Sequence, residues 1–147
     1  MRSLVVQRIV SMVLTVLGPL TPAASLAEDG VSIVIEVEGF ETDEGRLRCG
    51  LFLRKGWPEE EGRIAGTEAV IEDRRSRCVF TMVTPGRYGV AVFHDENGNG
   101  KLDKNLFGIP TEDYCFSRGA SGTMGPPSFA SAALDVAATD VRTSCRL

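Results

Sequence analysis

From residue 31 onward, apolar and polar residues trade places with a period of two through one short run after another. Val31, Ile33, Ile35 and Val37 share one face of Val31 to Glu38, which is the rhythm of a half-buried β-strand. Arg46 to Leu53 repeats it, with Leu47, Cys49, Leu51 and Leu53 in phase. Glu68 to Asp73 is a weaker case. Arg77 to Val83 and Arg87 to Phe93 flank Thr84-Pro85-Gly86, a tight-turn sequence. Ala130 to Ala138 and Val141 to Leu147 close the chain. Pro58 to Gly62 reads as a charged turn or one helical turn. No segment keeps a long helical period, which argues against α/β nucleotide folds. Six or seven short strands with turns between them predict an all-β, two-sheet sandwich.

Two regions break this pattern. Residues 1–27 read as a secretory signal. Arg2 and Arg8 give a positive start, Ile9 to Leu17 is an apolar run too short to span a bilayer, and Gly18-Pro19 ends it. Ser25-Leu26-Ala27 places small residues where cleavage after Ala27 needs them. An uncleaved membrane anchor is the alternative; no cysteine follows the cut, which argues against lipid attachment there. Residues 28–147 then form one domain of about 120 residues. The second region lies between Phe93 and Ala130. It is rich in Gly, Pro and Asn and lacks strand pattern. So long an irregular stretch in a compact domain is usually functional or disordered. Its aromatics, Phe107, Tyr114, Phe116 and Phe129, argue against disorder. The expectation is one long ordered loop wrapped over an end of the sandwich.

Cysteine and charge sharpen the class. Cys49, Cys78, Cys115 and Cys145 are an even set, which in an exported chain reads as two disulfides. No CxxC spacing occurs, so zinc and thioredoxin-type readings are weak. Three connectivities are open. Cys49 alternates with Leu47 and Leu51, and Cys78 with Phe80 and Met82, so both face the core. That parity favours Cys49–Cys78 and Cys115–Cys145. Losing Arg2 and Arg8 takes the formal charge from −4 to −6. This argues against nucleic acid and against electrostatic docking on anionic lipid, and it suits cation binding.

The candidate chemistry sits in His94 to Asp103, HDENGNGKLD. Calcium takes six to eight oxygen ligands, and its helix–loop–helix site draws side-chain oxygens from positions 1, 3 and 5. Glycine stands at 6, a backbone carbonyl at 7 and a water-mediated ligand at 9. With Asp95 as the first position, Asn97, Asn99, Gly100, Lys101 and Asp103 fall into that register. Leu106 stands where the bidentate Glu belongs, so Glu112 or Asp113 has to supply a carboxylate. The flank GRYGVAVF alternates like a strand. The expectation is therefore a calcium-type loop on a β scaffold, with modest affinity near 10⁻⁴–10⁻³ M, about that of extracellular modules. The competing reading is a solvated turn, since Asn97-Gly98 and Asn99-Gly100 are hairpin signals.

Other chemistry fares worse. His94 is the sole histidine, and Gly119-Ala120-Ser121-Gly122-Thr123 misses the G-x-S-x-G elbow. His94 therefore reads as a strand-end residue beside the cage. There is no Walker loop. A glycosidase pair stays open by carboxylate count alone, but the Glu59–Glu61 run reads as a solvated turn. Tyr88, after Pro85-Gly86, reads as a corner tyrosine bonded to backbone. Trp57 reads as packing and Arg118 as surface charge.

The phrases PGRYGVAVFHDENGNGKLDKNLFGIPTEDY, FSRGA and GPPSFASAAL together resemble domain-of-unknown-function family 2141, an uncharacterised family of exported bacterial proteins. The resemblance runs from about Val31 to Leu147. It implies a secreted or periplasmic sandwich of transthyretin-like or immunoglobulin-like type, and no established activity. The matching positions are Tyr88, His94, Asp95, Asn97, Asn99, Gly100, Asp103, Gly108, Pro110, Glu112, Pro127 and Phe129. The chain departs at Cys115 and Arg118, where the family looks more like Gly and Asn, and at Ser131, often acidic there. The expected function is that of an exported, calcium-binding, non-catalytic binding or envelope-associated module, with no nucleic acid and no transmembrane segment after cleavage. The metal set is Asp95, Asn97, Asn99, Lys101, Asp103 and Glu112. The alternatives are a hydrolase using loop carboxylates and His94, and a structural envelope protein without metal.

Overall fold

A computed structural model describes residues 30–147; the expected signal segment 1–27 lies outside them. The described residues form eight strands: β1 Val31–Glu38, β2 Arg46–Phe52, β3 Arg63–Ala69, β4 Arg75–Val83, β5 Gly86–Asp95, β6 Tyr114–Phe116, β7 Leu134–Val136 and β8 Val141–Arg146. One helical turn, α1 Phe129–Ala132, precedes β7, and a short 3-10 turn spans Glu60–Gly62. The strands form a three-stranded sheet, β4-β1-β8, and a five-stranded sheet, β3-β2-β5-β6, with β7 also on β5. All pairings are antiparallel except β1 with β8, where Ile33 lies beside Val141 in parallel register. This is the all-β, two-sheet sandwich that the alternation predicts.

The core is the inward half of each alternation. Ile33, Ile35 and Val37 of β1 meet Leu47, Cys49 and Leu51 of β2, and Val90 and Val92 of β5. Both favoured disulfides are present, and each joins one sheet to the other. Cys49 of β2 bonds Cys78 of β4, and Cys115 of β6 bonds Cys145 of β8, with Cα separations of 6.4 and 5.9 Å. Each closes a loop of about thirty residues, a constraint of about 2–4 kcal/mol. Tyr88 is the expected corner tyrosine, its hydroxyl donating to the Thr84 carbonyl at 2.9 Å.

The structure corrects five expectations. The strand expected at Glu68–Asp73 lies earlier, at Arg63–Ala69, because its place is set by pairing with β2 (Gly66 opposite Gly50) and not by its own periodicity. Ile71, which gave the later segment its apolar phase, tucks into the core beyond the strand end. Met82 is exposed, because β4 slips register between Phe80 and Val83 and Met82 takes a positive φ of 57°; Val83 points inward in its place. Leu53 follows β2 and is exposed as well. The strand expected at Ala130–Ala138 is only Leu134–Val136. Ser128 accepts the Ser131 N–H and caps a helical turn that buries Phe129 and Ala132. Finally, the single long loop is two. β6 interrupts it, since Ala91, Val92 and Phe93 pair with Phe116, Cys115 and Tyr114.

Candidate metal centre

Strand β5 runs past the end of its core face and delivers two neighbouring residues to opposite sides. His94 stands opposite Leu47 and shares the inward face; Asp95 stands opposite Arg46 and points outward. Outward position alone would leave Asp95 in water. The segment after it folds back over that face, and Asp95 is 0% exposed. Gly100 makes this return possible: its φ is +79°, a region that suits glycine, and its N–H donates to Asp95 Oδ2 at 2.9 Å. Gly45, at the start of β2, is equally constrained, since a Cβ there would lie 2.3 Å from the Asp95 carbonyl oxygen.

Arg48, on the outward face of β2, also donates to Asp95 Oδ2, at 2.5 Å, and pairs with Glu68 of β3 at 2.8 Å. Burial on its own raises the Asp95 pKa. The Arg48 hydrogen bond, the Gly100 N–H, the Arg48 charge and the Gly98 N–H outweigh it, so the carboxyl lies below its usual range. The same pair lifts the Arg48 guanidinium above its usual value. The Arg48 and Gly100 bonds both engage one oxygen, Oδ2. The other, Oδ1, is buried without any hydrogen-bond partner.

Around that carboxylate the loop is ordered by its own polar side chains. Asn97 Oδ1 accepts the Asn99 N–H at 2.9 Å, and Asn99 Oδ1 accepts the Lys101 N–H at 2.8 Å. The Asp103 carboxylate accepts both side-chain amides, from Asn97 at 2.5 Å and Asn99 at 2.9 Å. Glu112, 7% exposed, closes the assembly. One of its oxygens accepts the Glu96 N–H and the other the Asp103 N–H, each at 3.0 Å. It thus clamps both ends of the segment that Asp95 to Asp103 define. Asp113, the other candidate carboxylate, contributes its backbone: its carbonyl accepts the His94 N–H at 2.9 Å.

Of the six predicted residues, Asn97, Asn99 and Asp103 are linked to one another by hydrogen bonds, Glu112 braces the segment, and Asp95 joins it through the Gly100 N–H. Among the described residues, no three His, Cys, Asp or Glu side chains group as a metal site; a cage here has to draw on amide and backbone oxygens as well. Arg48 was missed. Only the β2–β5 register, with Arg48 opposite Phe93 and diagonal to Asp95, reveals it. His94 is 1% exposed. Its ring packs edge-on against Phe40, and Nε2 donates to the Glu44 carbonyl at 2.7 Å. That leaves the imidazole facing backbone and protein instead of a solvent-filled cleft. Trp57 packs on Phe52, Phe116 and Phe129 and donates to the Pro127 carbonyl at 2.8 Å. Arg118 takes a left-handed φ of 63°, the region that Asn, expected there from the resemblance, enters more easily.

The fold and loop define a disulfide-stapled β-sandwich carrying a polar, acid-centred loop at the end of β5. The chain belongs to DUF2141, the uncharacterized protein family conserved in bacteria, which it matches over residues 35–144. It matches no curated protein and no solved structure. No helix among the described residues is long and apolar enough to cross a membrane.

Proposed function

We propose that Asp95 to Asp103, with Glu112, is a calcium-binding loop that stiffens an exported sandwich acting as a non-catalytic binding or envelope-associated module. The observation that carries this reading is Asp95 Oδ1. An ionised carboxylate oxygen buried without a partner is costly, and a bound ion is among the few explanations for one in a native fold. The oxygens needed beside it are near in sequence: the Asn97 and Asn99 amide oxygens, the Lys101 carbonyl, and Asp103. An amide oxygen has two lone pairs, so Asn97 and Asn99 can keep their backbone N–H bonds and still face a cation. Asp103 then exchanges amide donors for the ion. The two disulfides support an oxidising compartment.

A second reading has its own observation. Arg48 already supplies a positive charge to Asp95, and a polar latch without metal would use the same contacts. A thermal melt separates the two. At a calcium concentration about tenfold above Kd the melting temperature rises by about 5 °C. Asp103→Ala, which spares the Arg48–Asp95 pair, removes the rise. A wild-type melt that is the same in millimolar calcium and in chelator leaves the latch alone.

A further inference from the structure

Beyond Asp103 the chain makes a second, smaller excursion that the calcium reading does not use. Lys104 bridges Pro110, the Thr111 N–H donates to the Asp103 carbonyl, and the Asn105 and Ile109 backbones bond at 2.9 Å. The Asn105 side chain accepts the Phe107 N–H at 2.9 Å and the Ile109 N–H at 3.1 Å. Gly108 turns at a φ of +76°. This is a fixed turn, held by at least four hydrogen bonds of its own. Yet its side chains are apolar and bare. Leu106 is 102% exposed, Phe107 87% and Ile109 59%. A rigid turn that presents three large apolar side chains to water is a contact device, since apolar exposure of this kind marks interaction sites.

We propose that the Leu106–Ile109 turn is an anchor that inserts into the interface of an anionic lipid bilayer. Two observations choose this occupant. The first is size. Three such side chains present about 400 Å², half of the roughly 800 Å² per partner that a stable protein contact uses; insertion of a few apolar side chains below the headgroups needs no such area. The second is local charge. Lys101 and Lys104 are exposed at the base of the turn; of the acids beside them, Asp103 is half-buried and bonded to Asn97 and Asn99, Glu112 is buried, and Asp113 is the one exposed acid of residues 101–113. Lysines beneath an apolar tip are the arrangement that anionic headgroups attract. The net charge of the chain opposes whole-surface docking, so contact is confined to this tip.

The full chain is tested by sedimentation with vesicles of phosphatidylethanolamine and phosphatidylglycerol, and with phosphatidylcholine vesicles, in calcium and in chelator. The anionic vesicles carry the protein down and the phosphatidylcholine vesicles carry much less. Phe107→Ser weakens anionic-vesicle binding about tenfold, and Lys104→Glu about fivefold, both with unchanged melting temperature. The emission of Phe107→Trp shifts to the blue on vesicle addition. A protein that stays in the supernatant in both buffers, or binding indifferent to Phe107→Ser, overturns the proposal. So does a concentration-dependent dimer that Phe107→Ser abolishes, because a second copy then covers the tip. Calcium-independent binding leaves the anchor standing and says nothing against it, while the melt judges the metal loop separately.

Discussion

Asp95 divides its work between two oxygens. Oδ2 satisfies Arg48 and Gly100, and Oδ1 satisfies nothing in the chain. Its folded pKa lies below the unfolded value of about 3.9. Stability from this carboxylate is therefore complete above that value and is lost as the pH falls through the lower, folded one. In chelator, Asp95→Asn should cost about 2 kcal/mol at neutral pH. The gap to wild type should hold between pH 7 and 5 and shrink below about pH 4, as urea melts across pH would record. A gap that widened in acid would contradict the assignment. That Asn97, Asn99 and Asp103 share one hydrogen-bonded loop after Asp95 was legible because these residues stand close together in sequence. Arg48 was not, because its contact depends on strand register, which no local pattern encodes. The unpartnered oxygen was equally invisible, being a property of burial and not of residue type.

At the scale of elements, β1, β2, β5 and β8 were readable because each sends every second residue toward the core. β3 and β7 were not. β3 is an edge strand with little buried surface, and β7 is three residues long. The slip at Met82 shows why parity arguments fail locally, since one inserted residue reverses every face beyond it. Cys49 and Cys78 lie before that slip, and their parity held. The loop 96–113 gains its order from Glu112 and not from core packing. Glu112→Ala removes the acceptors for the Glu96 and Asp103 N–H groups and should cost about 2 kcal/mol. Limited proteolysis should then cut first within residues 96–113. Cleavage elsewhere first would show that the clamp is dispensable.

At the scale of the molecule, two covalent staples join the sheets at separate places, and β1 is flanked by two strands distant in sequence. β4 follows soon after, with Cys78 beside Ile35, but β8 arrives more than a hundred residues later: Ser32 bonds Asp140 across 108 positions. A variant ending at Asp140 keeps seven strands yet loses one whole side of β1 and the partner of Cys115. It should fail to give a cooperative melt and should form disulfide-linked dimers through Cys115 on non-reducing gels; a cooperative monomer would refute this. The parallel β1–β8 pairing also imposes an order of events on biosynthesis. While β8 is still being made, Val31–Glu38 offers a bare, apolar ribbon with one rim of amides unclaimed. Whatever accompanies the nascent polypeptide through that interval has to grip an extended apolar segment and let go only when its distant mate emerges.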